Sequence, residues 1–165
     1  MYFTRNDSAL VLIDHQVETM QLIKSLDAEQ AKRHTLDLAK IARILKLPVV
    51  LTTLGEDQIR GPLIPGLEAI LPEAYAARIQ RIGTVNAWAD DRFRQAVEST
   101  GRNNLIMAGA TTGISLVFPS IDAVAAGYRV QAVMDASGSV SELTEELARL
   151  RGCGRPGSCS PRPPP

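Results

Sequence analysis

Short apolar runs alternate along this chain with stretches in which apolar residues recur every three or four positions. Residues 9–14 read Ala-Leu-Val-Leu-Ile-Asp, an unbroken apolar run that ends on a carboxylate, and residues 48–53 read Pro-Val-Val-Leu-Thr-Thr. Runs of that length predict buried strands. Between them, Ala31, Leu36, Leu38, Ala39, Ile41, Ala42 and Leu45 fall at helical spacing and predict a helix over 28–45. Residues 62–71 read as a loop and a short helix, and 78–81 as a short third strand. A helix over 90–100 is ended by Gly101, a fourth strand covers 105–108, and a helix over 114–126 is ended by Gly127. A fifth strand is predicted over 129–135. The last helix, 141–151, opens on Ser-Glu-Leu-Thr-Glu-Glu, which supplies an N-cap and an acidic first turn.

Apolar strands joined by helices imply an α/β domain: three αβα layers around a mostly parallel, doubly wound sheet. Another strand would be expected after the helix at 141–151, and the pattern supplies none. In such sheets ligands bind beyond the C-terminal ends of the strands. That rule selects Asp14, Thr52, Thr53, Arg81, the turn 109–115 and Asp135. The segment Asn104-Leu-Ile-Met-Ala-Gly-Ala-Thr-Thr-Gly-Ile-Ser115 carries most information. A strand runs into a tight turn of small residues, and Ser115 stands where a helix should begin. Backbone N–H groups converge at such a place and the helix dipole favours negative charge, which suits acyl transfer.

Bulk composition narrows the classes. The chain has 165 residues, 45% of them apolar, enough for one domain with a full core, placed at 1–150. Lys and Arg together number 18 and so do Asp and Glu, which argues against a nucleic-acid partner. The sequence has no apolar run of membrane-spanning length and no signal-peptide pattern at its start, so the expected location is cytoplasmic, with no membrane partner. A neutral, apolar-rich chain also fits a homo-oligomer. After residue 150 the composition changes abruptly to Gly, Pro, Arg, Ser and Cys. Residues 151–165 read as an irregular or disordered tail, natural or produced by a lost reading frame. Its Cys153 and Cys159 are spaced C-x5-C, which matches no common zinc pattern.

Three segments together carry a family resemblance. They are Leu-Ile-Asp14-His-Gln, Arg81 followed by Asn86-Ala-Trp88, and Ala108-Gly-Ala-Thr-Thr-Gly-Ile-Ser115-Leu-Val-Phe-Pro119. With Asp135-Ala-Ser-Gly138, the chain resembles the isochorismatase-like cysteine hydrolases, and within them the YcaC-like branch, over about residues 7–150. The resemblance implies a six-stranded parallel sheet, a homo-oligomer, and a catalytic trio of Asp, Lys or Arg, and Cys. Carried onto this sequence, Asp14 matches the general base, Arg81 the basic member, and Ser115 falls at the nucleophilic cysteine. It also implies a cis peptide between Ala110 and Thr111, and an oxyanion hole from the amides of Thr111 and Ser115. No organic cofactor is implied. The metal-binding members use Asp and His after the second strand; here that region reads Thr-Thr-Leu-Gly-Glu-Asp57, so no metal is expected.

Each candidate has a plainer alternative. Asp14 reads as a base or as a loop-capping carboxylate. Arg81 reads as a fixed positive charge beside it or as a structural ion pair. Trp88, after Asn86, reads as the wall of a pocket for a small flat substrate or as a packing residue. Ser115 reads as a weak nucleophile, a bystander or a helix N-cap. A thiol ionises near pH 8.5 and lower beside a cation, whereas a serine hydroxyl needs a strong local base. His34 is placed mid-helix and solvated, and His15, next to Asp14, is expected to point to the opposite side. The reading is therefore a hydrolase of a C–N bond in a small amide with a weakened nucleophile. The alternatives are an inactive small-molecule binder, or a vinyl-ether hydrolase that uses Asp14 alone as acid or base.

Overall fold

A computed structural model describes residues 3–153. Five strands form one parallel sheet in the order β3-β2-β1-β4-β5: β1 Ser8–Ile13, β2 Val49–Leu54, β3 Ile79–Arg81, β4 Asn104–Gly109 and β5 Arg129–Ala132. The central strand β1 is buried along its whole length and pairs with both β2 and β4. Its residues alternate between two cores. Leu10 and Leu12 pack with Leu51, Ala31, Ala39 and Leu67 on one face; Ala9, Val11 and Ile13 pack with Phe93, Val97, Leu105 and Leu116 on the other. That alternation is the period-two geometry of a strand, and it makes the sheet the middle of three layers.

The helices are α1 Val17–Gln21, α2 Ala28–Leu45, α3 Leu67–Ile70, α4 Pro72–Ala76, α5 Asp91–Ser99, α6 Val117–Ala125 and α7 Glu142–Cys153. Asp27 caps α2 by accepting from the Glu29 amide, and Asp90 caps α5 by accepting from the Arg92 amide. Gly101 and Gly127, at φ 65° and 95°, follow α5 and α6 as the sequence predicted.

The sequence expectations fail at five places, each for a local reason. Helix α1 has too few residues for a periodic signal. Within the region predicted as a loop and a short helix lies α3, and α4 follows it immediately, started by Pro72 at its first position. The helix predicted from 114 begins at Val117, because Thr112–Leu116 form a separate wide turn. Strand β5 stops at Ala132; Met134–Ala136 coil into a 3-10 turn that leaves Asp135 exposed. The last helix runs to Cys153, so residues 151–153 are helical rather than irregular. The expected tail beyond it, with Cys159, lies outside the described residues. Among the described residues no helix is long and apolar enough to cross a membrane.

One glycine fixes how the site-bearing turn folds. A Cβ on Gly109, the last residue of β4, would stand 2.6 Å from both the carbonyl carbon and oxygen of Ser115. Only a residue without a side chain lets the turn close back over its own strand. Gly109→Ala is expected to lower stability by about 1–3 kcal/mol, the usual cost of overpacking. Thermal unfolding should show a fall of roughly 2–4 °C per kcal/mol; an unchanged melting temperature would refute the close approach.

Candidate active site

Asp14 follows β1, with its amide donating to the Thr52 carbonyl of the neighbouring strand at 3.0 Å. Its φ is 60°, a left-handed conformation that Asp adopts more readily than most residues. This bend turns the carboxylate toward β3 and β4. Arg81, the last residue of β3, donates from Nη2 to Asp14 Oδ1, and Ser115 donates from Oγ to Asp14 Oδ2 at 2.8 Å. The three side chains predicted from distant segments therefore meet, and all are buried: Asp14 is 1% exposed, Arg81 0% and Ser115 2%.

The rest of the guanidinium is satisfied by the scaffold. Arg81 Nε donates to Thr52 Oγ1 at 2.9 Å, and that hydroxyl donates to the Ile79 carbonyl at 2.7 Å. Arg81 Nη1 donates to the carbonyls of Thr84 and Val85 at 2.6 and 2.8 Å. The cation thus fixes the ends of β2 and β3 and the loop before Asn86, as well as the carboxylate. Burial pushes the Asp14 carboxyl above its ordinary value, against the opposing pull of Arg81, the Ser115 hydroxyl and the charge of Arg60.

The peptide between Ala110 and Thr111 is cis. The oxyanion pair is arranged differently from the expectation. The Ser115 amide donates to the Thr111 carbonyl at 2.8 Å, closing the turn, so it is not available as an unpaired donor. Thr112 donates to the Gly138 carbonyl at 2.8 Å, and the Ala110 amide donates to the Ile13 carbonyl at 3.0 Å.

The remaining candidates make contacts with the surrounding scaffold. Asn86 accepts from the Trp88 amide at 3.1 Å and donates to Asp122 on α6 at 2.7 Å. Trp88, 8% exposed, packs edge-on against Phe93 and Tyr128 with centroids 6.0 and 5.5 Å away. Thr53 donates to Glu56, which forms a bidentate pair with Arg78. His34 is half-buried rather than simply solvated, and its Nδ1–H donates to the Asp135 carbonyl at 2.9 Å. His15 is fully buried; its Nε2–H donates to the Ala136 carbonyl at 2.8 Å, and its Nδ1 has no partner among the described residues. Desolvation holds the ring neutral, with its pKa lowered to about 4. Its one hydrogen bond goes to Ala136, so it is not placed as the base of a serine triad. Among the described residues no group of three or more His, Cys, Asp or Glu side chains could hold a metal ion.

Sequence reasoning missed Gln16 and Arg60. Gln16 Nε2 donates to the Gly61 carbonyl at 2.6 Å while its Oε1 accepts from the Leu54 amide at 2.8 Å. That clamp holds the turn Glu56–Arg60 near the Asp14 end of β1. The signal was available, since Gln16 follows Asp14 and His15 in the resembling motif; Arg60 had none, because its position depends on a kinked turn. Arg81 also lines a cavity of about 460 Å³ with Glu56, Arg78, Gln80, Ile82 and Arg92.

The structure is a three-layer αβα domain whose parallel sheet carries a buried Asp–Arg–Ser cluster at its strand ends. Residues 8–154 match the Isochorismatase domain family, and the chain belongs to that family. It is 38% identical over 144 residues to "Probable hydrolase YcaC" of Escherichia coli K12, covering 87% of this chain and 68% of that protein. The solved structure of the E. coli YcaC gene product, described as an octameric hydrolase of unknown specificity, superposes with a TM-score of 0.86 over 90% of this chain and 72% of that one, at 38% identity. YcaC from Pseudomonas aeruginosa, solved with hexane-2,5-diol and covalent acrylamide, matches with the same TM-score and identity, covering 90% and 73%. An isochorismatase from Pseudomonas putida shares the fold with a TM-score of 0.75 at 21% identity, over 91% of this chain and 86% of that one. These likenesses place the chain among the family's YcaC-like hydrolases.

The two buried titrating groups pull stability in opposite directions. His15, depressed to about 4 from 6.5, contributes stability that is full above pH 6.5 and is lost as pH falls toward 4, about 3 kcal/mol at 1.36 kcal/mol per unit. Asp14, raised above 3.8, contributes stability that is full below pH 3.8 and is lost as pH rises through its folded value. Urea unfolding across pH 3.5–7.5 should therefore show the acid-side loss shrink in His15→Gln. The loss on raising pH should shrink in Asp14→Asn. Unaltered pH slopes in both variants would contradict these assignments.

Proposed function

We propose that the chain hydrolyses a C–N bond in a small amide, with Ser115 as a weakened nucleophile and Asp14 as its base. The observation that carries this is the 2.8 Å hydrogen bond from Ser115 Oγ to Asp14 Oδ2 inside a site shielded from water. In the reaction Asp14 takes the Ser115 proton as Oγ bonds to the carbonyl carbon. The proton then passes to the leaving nitrogen as the C–N bond breaks; water, deprotonated by the same carboxylate, bonds to the acyl carbon, the bond to Ser115 Oγ breaks, and the proton returns to Oγ as the acid leaves. A carboxylate raised by burial is better matched to that transfer than an ordinary one. Arg81 stays protonated and stabilises the developing negative charge without donating its proton. The Thr111 amide is the proposed oxyanion donor, joined by the Ser115 amide if the turn relaxes. Asn86 and Trp88 shape the pocket wall through the loop that Arg81 holds.

The octameric state of the E. coli relative supports a homo-oligomer, and the small molecules held by the P. aeruginosa one support a small-molecule substrate. The cytoplasm is the proposed location. Serine at the position of the family's cysteine slows the chemistry, because the same cation and dipole cannot generate appreciable alkoxide.

A screen of small amides, acrylamide among them, and a vinyl ether tests the reading. Ser115→Cys should raise amide turnover on the order of tenfold or more, because a thiolate forms there far more readily. Asp14→Asn should lower it by about 10²–10⁴, the usual contribution of a general base. Equal activity of the Ser and Cys forms that is lost in Asp14→Asn would replace the nucleophile with acid–base vinyl-ether chemistry. Saturable binding without turnover in every form would make the chain a silent binder.

A further inference from the structure

The segment after β2 crosses from the end of β3 to the end of β1 and is pinned beside Asp14 at both feet. At the first foot the Gly55 amide donates to the Arg81 carbonyl at 2.9 Å. At the second, the Gly61 carbonyl accepts from Gln16 Nε2 at 2.6 Å and the Pro62 carbonyl accepts from the Val17 amide at 2.9 Å. Both anchors belong to the site: Arg81 bonds the Asp14 carboxylate, and Gln16 follows Asp14 by two residues. Between the feet lies the kinked turn Glu56–Arg60, bounded by Gly55 and Gly61 at φ 57° and 67°, where a side chain would be strained. Arg60 is the last residue of that turn, directly ahead of the second foot. The clamp made by Gln16 therefore fixes where Arg60 sits relative to Asp14.

The other cations at this edge are matched. Arg81 pairs with Asp14, Arg78 with Glu56 and Arg92 with Asp90. Arg60 is half-buried, and among the described residues its side chain has no hydrogen bond or ion pair. Asp57 in the same turn and Glu18 beside Gly61 are exposed, and neither pairs with it. Its charge nevertheless reaches the site, where it pulls the Asp14 carboxyl downward. A guanidinium partly withdrawn from water and left unmatched carries a desolvation cost that an incoming anion offsets. Its planar fork fits a carboxylate with two parallel hydrogen bonds. Because Asp14 and Arg81 cancel, the surplus charge is positive and favours an anion at the mouth of the site. We propose that Arg60 binds a carboxylate carried by the amide substrate, so that the site selects small amides of acidic molecules over neutral amides. This rests on the amide reading above and names its substrate class. The carbonyl carbon lies at Ser115 and the anionic end at the turn 56–60, with Gln16 as the residue that positions that turn.

Succinamate, an amide that carries a carboxylate, and butyramide, a neutral amide with the same number of carbons, test this on the full chain. Steady-state kinetics of the wild type and of Ser115→Cys are compared, with circular dichroism to confirm that each variant is folded. The value of kcat/KM for succinamate should exceed that for butyramide by about tenfold or more, the size of one charged hydrogen bond, and the excess should shrink as salt is raised. Arg60→Ala should remove most of that excess through KM, and Arg60→Lys, which keeps the charge but loses the fork, should retain part of it. Equal kinetics for the two amides, or a preference that survives Arg60→Ala, would overturn the assignment while leaving amide hydrolysis standing. Turnover of neither amide, in the wild type or in Ser115→Cys, would instead overturn the amide reading. Calorimetric binding of succinamate then decides about Arg60: a loss of affinity in Arg60→Ala would keep it as the anion site, and unchanged binding, or none in the wild type, would overturn it as well.

Discussion

The buried ion pair between Asp14 and Arg81 is the constraint around which the C-terminal edge of the sheet is arranged. Taking two charges out of water costs several kcal/mol per ion, and the attraction between them offsets this only where every remaining donor and acceptor is also satisfied. Here every guanidinium nitrogen and both carboxylate oxygens have a partner. Thr52 takes the Nε proton, the Thr84 and Val85 carbonyls take those of Nη1, and Ser115 donates to the second carboxylate oxygen. Those partners come from β2, from the loop after β3 and from the turn after β4, so one pair ties three further chain segments to the ends of β1 and β3. Removing the cation alone would strand a carboxylate that is 1% exposed.

The same arrangement sets the chemical limits of the site. Burial raises the carboxylate toward a useful base, while the fixed cation and the Ser115 hydroxyl pull it back. A hydroxyl in that field remains a hydroxyl, where a thiol would ionise. The nearby imidazole cannot compensate: His15 is neutral, fully buried and bonded to Ala136. The proposed chemistry at Ser115 would therefore have to use a carboxylate as base, without histidine.

Helix α7 joins the site to the molecular surface. Ala148 packs on Gly113 of the turn beneath Ser115, Glu145 accepts from Ser139, and its leucines face outward.

Much of this was legible in the chain. The apolar runs located β1, β2, β4 and β5, while β3 rested on a short mixed segment; helical spacing located α2 from Ala28 to Leu45, and Gly101 and Gly127 marked helix ends, because local periodicity and glycine's left-handed freedom are properties of short segments. The motifs around Asp14, Arg81 and Ser115 pointed to a shared site, since polar residues at strand C-termini gather on one edge of a parallel sheet. What the sequence could not settle depends on contacts between distant residues. Helix α1 was too short to show a period, and β5 ended early because the chain coils at Met134–Ala136. Trp88 was committed to Phe93 and Tyr128, and the Ser115 amide to Thr111, partners that only packing brings together. Sequence by itself determined which residue types lie along each element; the tertiary structure decided which were buried as charges and which hydrogen bonds they kept, because desolvation and pairing exist only once the chain has closed on itself.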